Sequence, residues 1–229
     1  MMKINKLENY IEKHTVSSSI LLYFVGYLLI GSFIISLTPT KYQIYTRLVV
    51  SLILFFSMIR ISRKEFDNII EQINEVLGTG AFITAVVTFM IFAINFALTF
   101  LSYTLFKQTT VNNNIISMLY SKHPYNIGLI VILLLPFVEE ILFKAQIFKN
   151  TKFLDNHKVI KTIIIALLFA CFHCITEIAT LNYKVIISMI NYILFYSITN
   201  TIYIRSNYNI MKPIAIHMLL NALSLFITI

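Results

Sequence analysis

The chain has 229 residues, of which 58% are hydrophobic and only 12% charged, about half the charged share of a soluble domain. That composition excludes an ordinary soluble enzyme, and with 5 Gly and 4 Pro it also excludes a linker-rich or disordered chain. The formal charge of +8 does not signify nucleic-acid binding, because Lys and Arg fall in short gaps between apolar runs and form no basic stripe.

A Lys-bearing N-terminus (Lys3, Lys6, Lys13) precedes the first apolar run, 17–38. The run is too long for a signal peptide and no A-x-A-like site follows it, so it reads as an uncleaved anchor. A second run covers 45–61. Between 60 and 80, Ile61, Phe66, Ile69, Ile70, Ile73 and Leu77 recur at helical spacing among charges, the pattern of an interfacial amphipathic helix. Five further runs follow at 81–106, 127–148, 160–176, 184–203 and 212–229, each about the length that crosses a bilayer. The expectation is an all-α fold, a polytopic transmembrane helix bundle of about seven to eight membrane segments in one integral-membrane domain. Residues 1–124 form its N-terminal helices and 125–229 its core. Lys and Arg divide 13 against 5 between alternate sides of these spans, which puts the N-terminus in the cytoplasm and the C-terminus outside. Cys171 and Cys174 read as small buried hydrophobes and imply no disulfide.

Inside the spans the ionisable residues are few, and each is costly in hydrocarbon unless paired or used. They are Glu139, Glu140 and Lys144 in the fourth span, His173 in the fifth and His217 in the seventh. The Glu139–Glu140 doublet is the most expensive, because adjacent carboxylates resist joint ionisation. Spacing groups the rest. Glu140 and Lys144 are i,i+4 with the acid first, the favoured ion-pair order. Phe169 and His173, and His217 and Asn221, are also i,i+4 and share a helix face. Glutamate, two histidines and an asparagine suit amide hydrolysis: a carboxylate or imidazole takes a proton from water, and His and Asn donors stabilise the oxyanion.

These residues, Glu139-Glu140-x-x-x-Lys144, Phe169-x-x-x-His173 and His217-x-x-x-Asn221, resemble the three ordered motifs of the CPBP family (Abi, CAAX-protease and bacteriocin-processing intramembrane peptidases). The stretch from Tyr203 to His217 resembles the family's approach to its last motif, and the likeness covers roughly 125–229. By that resemblance Glu139 activates water with His173, His217 and Asn221 form the oxyanion site, and Glu140 is held by the basic residue at 144. Phe169 supports His173. The family has Arg where this chain has Lys144, which keeps the charge but loses the planar fork.

Two cofactor readings stay open. Glu139, His173 and His217 could supply a His₂Glu zinc set; without an H-E-x-x-H signature, a metal-free site with glutamate-activated water is favoured. The partners expected are membrane lipid and a membrane-associated peptide or protein substrate, with no nucleic acid; oligomeric state is open. The resemblance implies an intramembrane endopeptidase, CAAX-protease-like, linked in bacterial relatives to bacteriocin processing, signal-peptide processing or self-immunity. The Ile-, Asn- and Lys-rich usage is compatible with an AT-rich bacterial genome, and the expected location is the cell membrane, multi-pass. A non-catalytic immunity or scaffold protein is the alternative, and a proton-relay transporter is disfavoured by the lack of an inverted repeat. One conflict arises from the span boundaries. Along straight helices His173 lies about 20 Å deep and His217 about 8 Å, so straight spans starting there do not bring His173, His217 and Glu139 together.

Overall fold

The computed structural model describes residues 14–107, 111–180, 182 and 185–227. Lys3, Lys6, Lys13 and Lys184, used in the charge asymmetry, and the end of the seventh predicted span lie outside the described residues. Among the described residues every regular element is helical. In chain order, α1 is Thr15–Leu37, with wide π-type turns over Leu21–Gly31. Helix α2 is Gln43–Ile61, α3 Ile69–Leu77, α4 Ala81–Phe106 and α5 Val111–Lys122. Helix α6 is Pro124–Phe148, α7 Lys158–His173, α8 Ile175–Ala179, α9 Val185–Arg205 and α10 Met211–Ile227.

Among the described residues five helices are long and apolar enough to cross a membrane: α1, α2 with its leading turn from Thr40, α4, α6 and α9. The chain is therefore a multi-pass membrane protein. The remaining two of the seven predicted spans are the shorter helices α7, with 16 residues, and α10, with 17. Helix α7 stops at His173, where Cys174 leaves helical geometry and α8 begins. The predicted 60–80 helix is broken too, into a tight turn at Arg63–Phe66 and α3.

Helix α6 is the axis of the bundle. Two thirds of its apolar window is buried, against about a tenth to a fifth in the other four long helices. Those four are apolar all round, as helices facing lipid on one side must be. Around α6 the core gathers Leu54 and Met58 from α2, Ile165, Ala166 and Phe169 from α7, Phe195, Tyr196 and Tyr203 from α9, and Ile214, Ile216 and Leu220 from α10.

Pro124 starts α6 at its first helical position, where the missing N–H costs nothing. Pro136 sits deeper, directly after the π-type turns Leu129–Leu134. A proline inside a helix removes one donor and pushes its ring at the preceding turn; widened turns absorb both effects. In i→i+5 register the donor for the Val131 carbonyl would be residue 136, which is proline. Asn221 of α10 replaces it, its amide donating to the Val131 carbonyl at 2.9 Å. A backbone group that lipid could not satisfy is thus paired by another helix, and the same bond docks α10 against α6 just before the glutamate doublet.

The start of α10 is held from the other side. Asn207 and Tyr208 take left-handed backbone angles (φ 52° and 63°) and turn the chain from α9 towards α10. Asn209 then donates to the Gln72 carbonyl at 3.2 Å and to Glu75 at 2.7 Å. The Ile210 N–H donates to Gln72 Oε1, and Lys212 pairs with Glu75. Helix α3 therefore clamps the N-terminal turn of the helix that carries His217.

Candidate active site

Glu139 and Glu140 lie in the α-helical turn of α6 between two π-type stretches, Leu129–Leu134 and Ile141–Phe148. Such widened turns often mark functional positions. Here they set two adjacent side chains into different surroundings. Glu140 is 1% exposed and Lys144 is fully buried. Lys144 Nζ stands 2.6 Å from Glu140 Oε2 in a close ion contact whose angles fall outside the hydrogen-bond range. The ammonium also lies 4.2 Å from the centre of the Tyr196 ring, a favourable place for a desolvated cation. The other oxygen of Glu140 faces α10: His217 Nδ1 lies 2.9 Å from Oε1. A carboxylate only accepts, so Nδ1 carries the hydrogen and donates.

Glu139 points elsewhere. Its Oε2 stands 3.7 Å from His173 Nε2 and 3.9 Å from His217 Nε2. These separations exceed direct hydrogen bonds. His173 Nδ1 lies 2.9 Å from the Phe169 carbonyl, an acceptor, so that nitrogen too is the donor and Nε2 is turned to the centre. The ring is held between Phe169, 4.2 Å centre to centre, and Tyr192 of α9, 4.6 Å. Phe195 meets His217 edge to face at 4.7 Å. Both imidazoles thus have one nitrogen anchored and the other presented to the same carboxylate oxygen.

The depth conflict disappears in this arrangement. Helix α7 begins beyond the end of α6 rather than level with it: Lys161, already in its first turn, lies over the Phe148 ring at 4.6 Å. The extra length at its start lets His173 come level with Glu139. The assumption that failed was that neighbouring spans share one starting plane.

All of the motif residues therefore sit on α6, α7 and α10, and the structure brings Glu139, Glu140, Lys144, His173 and His217 into one cluster. Phe169 stacks on His173. Asn221 lies one turn beyond His217 and uses an amide hydrogen on Val131, leaving its second one available. Tyr23, Tyr192, Phe195 and Tyr196 were not singled out by sequence, being aromatic positions in a chain with 13 Tyr and 19 Phe. For Tyr23 a signal existed. It lies nine residues into a span, away from the interfacial belts that tyrosines favour, and a hydroxyl there needs a partner.

Charge counting shows what the cluster can do. Two carboxylates and one ammonium leave one net negative charge in a buried space, where unpaired charge is expensive. Glu139 Oε2, His173 Nε2 and His217 Nε2 stand as three proton-accepting atoms around one gap, an arrangement open to general acid–base chemistry.

A zinc ion does not fit these side chains as they stand. Two ligands of a tetrahedral zinc at 2.0–2.1 Å are about 3.4 Å apart, closer than either distance from Glu139 to an imidazole. Among the described residues no group of three or more His, Cys, Asp or Glu is arranged to hold a metal ion.

Residues 121–223, slightly under half of the chain, match the family model described as Type II CAAX prenyl endopeptidase Rce1-like. No curated protein and no solved structure matches the chain. The matched segment contains every motif residue from Glu139 to Asn221 and excludes α1 to α4. Through that segment the chain is similar to the type II CAAX prenyl endopeptidases, Rce1-like, a protease family.

Proposed function

We propose that this chain is an intramembrane endopeptidase of the cell membrane, N-terminus in the cytoplasm, that hydrolyses a peptide bond in a membrane-associated substrate. The observation that carries this is the convergence of His173 Nε2 and His217 Nε2 on Glu139 Oε2. A water in that gap donates one hydrogen to Glu139 and the other to His173. As it attacks the scissile carbonyl carbon, Glu139 takes its proton. The carbonyl oxygen becomes an oxyanion and accepts from a protonated His217 Nε2 and from the second amide hydrogen of Asn221. Glu140 supports that imidazolium through Nδ1, and Lys144 pairs with the other oxygen of Glu140. Collapse of the tetrahedral intermediate breaks the C–N bond, and the proton held by Glu139 passes to the leaving amine. The products are an amine and a carboxylic acid that still carries the second water hydrogen and loses it to bulk water on release, and the site returns to its starting charge.

The family description supports a substrate with a prenylated C-terminal tail, and a site among membrane helices suits a lipid-anchored peptide. The test is a quenched fluorescent peptide carrying an S-farnesyl cysteine, beside the same peptide without the lipid, incubated with the full chain in nanodiscs. Glu139→Gln, His173→Ala and His217→Ala should each lose at least a hundredfold in turnover while eluting and melting as folded protein. Full turnover in all three folded variants would assign the cleavage to something other than this site, and an intact peptide with the wild-type chain would turn the reading towards a binding or immunity role.

A further inference from the structure

We propose that Tyr23 is the positioning residue for the water-activating carboxylate, its hydroxyl holding Glu139 Oε1 so that Oε2 faces the two imidazoles. This rests on the peptidase reading above and adds a residue from α1, which lies outside the segment shared with the family.

The geometry is direct. Tyr23 Oη donates to Glu139 Oε1 at 3.2 Å across 116 residues of chain, and the contact is buried. The ring is 2% exposed and fixed by aromatic neighbours: Phe24 at 5.4 Å edge to face, Tyr27 at 5.9 Å and Phe172 at 5.5 Å. Phe172 adjoins His173 and meets its ring at 5.4 Å. The ring that orients Tyr23 therefore belongs to the helix that presents His173.

Glu139 needs such a hold. The last torsion of a glutamate side chain is broad and roughly two-fold, so an untethered carboxylate would rotate and exchange its oxygens. Glu140 is fixed on both oxygens by Lys144 and His217. For Glu139, the imidazoles stand beyond hydrogen-bond distance, and the tether comes from Tyr23. The hydroxyl faces an enzyme carboxylate on the side away from the water gap. Its loss should therefore lower turnover and spare substrate binding.

The experiment uses the full chain in nanodiscs and two readings. The first is the infrared carboxylate stretch of Glu139, assigned as the band that Glu139→Gln removes. Tyr23→Phe should shift it; Tyr27→Phe should not, since that hydroxyl lies one turn on beside Ser51. An unmoved band in Tyr23→Phe overturns the proposal, whether or not any peptide is cleaved. The second reading is turnover of the farnesylated peptide. Tyr23→Phe should lower kcat about tenfold with KM unchanged, the usual size for a hydrogen bond to a charged group, and Tyr27→Phe should match wild type. Unchanged kcat, or a risen KM with unchanged kcat, overturns the proposal. If the wild-type chain leaves the peptide intact, the peptidase reading fails on that probe and the infrared band alone decides on Tyr23. Should Tyr23→Phe not fold, 3,5-difluorotyrosine at position 23 keeps the ring and alters only the donor. A shifted Glu139 band then supports the contact and an unshifted one refutes it.

Discussion

His217 donates from Nδ1 to Glu140 Oε1 at 2.9 Å, so the imidazole of one helix hangs on a carboxylate whose other oxygen is already claimed by Lys144 of its own helix. Glu140 is the joint between the buried cation and the His217 ring. Glu140→Gln keeps an acceptor but leaves Lys144 charged in a dry interior. The expected cost is about 3–5 kcal/mol, that of breaking a buried pair on one side. The double variant Glu140→Gln, Lys144→Met removes the stranded charge and should recover most of the lost Tm without recovering peptide turnover. Thermal unfolding in detergent, read beside the cleavage assay, checks both halves. A double variant as unstable as the single one would show that Glu140 does not act through Lys144.

Lys144 stands where the family pattern has arginine. The space around it suits a lysine: its ammonium is fully buried between the Glu140 carboxylate and the face of Tyr196. Tyr196 is held in place by its own hydroxyl, which donates to the Phe143 carbonyl at 3.2 Å. A point charge against a ring needs no planar fork. Lys144→Arg should therefore overfill the site and cost about 1–3 kcal/mol while retaining activity, and Lys144→Met should lose activity. Comparing Tm and kcat for the two variants checks this; an inactive Lys144→Arg would contradict it.

The chemistry-bearing residues were legible because hydrocarbon makes polar residues rare, and i,i+4 spacing puts the motif pairs on shared helix faces. Glu140 with Lys144 and Phe169 with His173 are paired in the structure as their spacing implies. Contacts that depend on how helices stack were not legible. Tyr23 meets Glu139 only because α1 packs against α6, and no local pattern encodes that approach. Span counting failed at α7 for a related reason. Its apolar run continues past His173, but the helix stops there, and the length of an apolar run does not reveal a turn inside it. Asn221 shows the mixed case. Spacing placed it beside His217, yet its bond to Val131 follows from the missing N–H of Pro136, a sequence feature on another helix.

Asn221 should accordingly matter twice. Asn221→Ala strands the Val131 carbonyl and removes the proposed oxyanion donor together. The structural part should cost about 1 kcal/mol, within the range for polar contacts between membrane helices, and the loss of the donor should lower kcat more than it raises KM. Adding Pro136→Ala restores the N–H that Asn221 replaces. That pair should regain stability but not turnover. Measuring Tm and kcat for the single and double variants separates the two roles, and equal recovery of both would assign Asn221 a purely structural part.

The clamp on α10 makes a pH prediction. The hydrogen bond from Lys212, and next that from Asn209, hold the Glu75 carboxyl below its ordinary value of 4.5, against a smaller opposing effect of burial. A carboxyl whose folded value is depressed adds stability that is fully present above its unfolded value and is lost as pH falls through the folded one. Stability should therefore decline on acidification below about pH 4.5 and level off once Glu75 is protonated. The carboxylate is 42% exposed, so water and salt screen the pair, and the effect should stay under about 1 kcal/mol and shrink at high ionic strength. Glu75→Gln should start from a lower Tm at neutral pH and flatten the response between pH 3 and 5. Because Glu75 and Asn209 seat the turn from which α10 departs, the same acidification should loosen the placement of His217. Hydrogen exchange of the α10 amides at pH 4 against pH 6 tests this: the first turn should open faster in acid in the wild-type chain, and at one rate in Glu75→Gln. An acid response unchanged by Glu75→Gln would place its origin elsewhere in the chain.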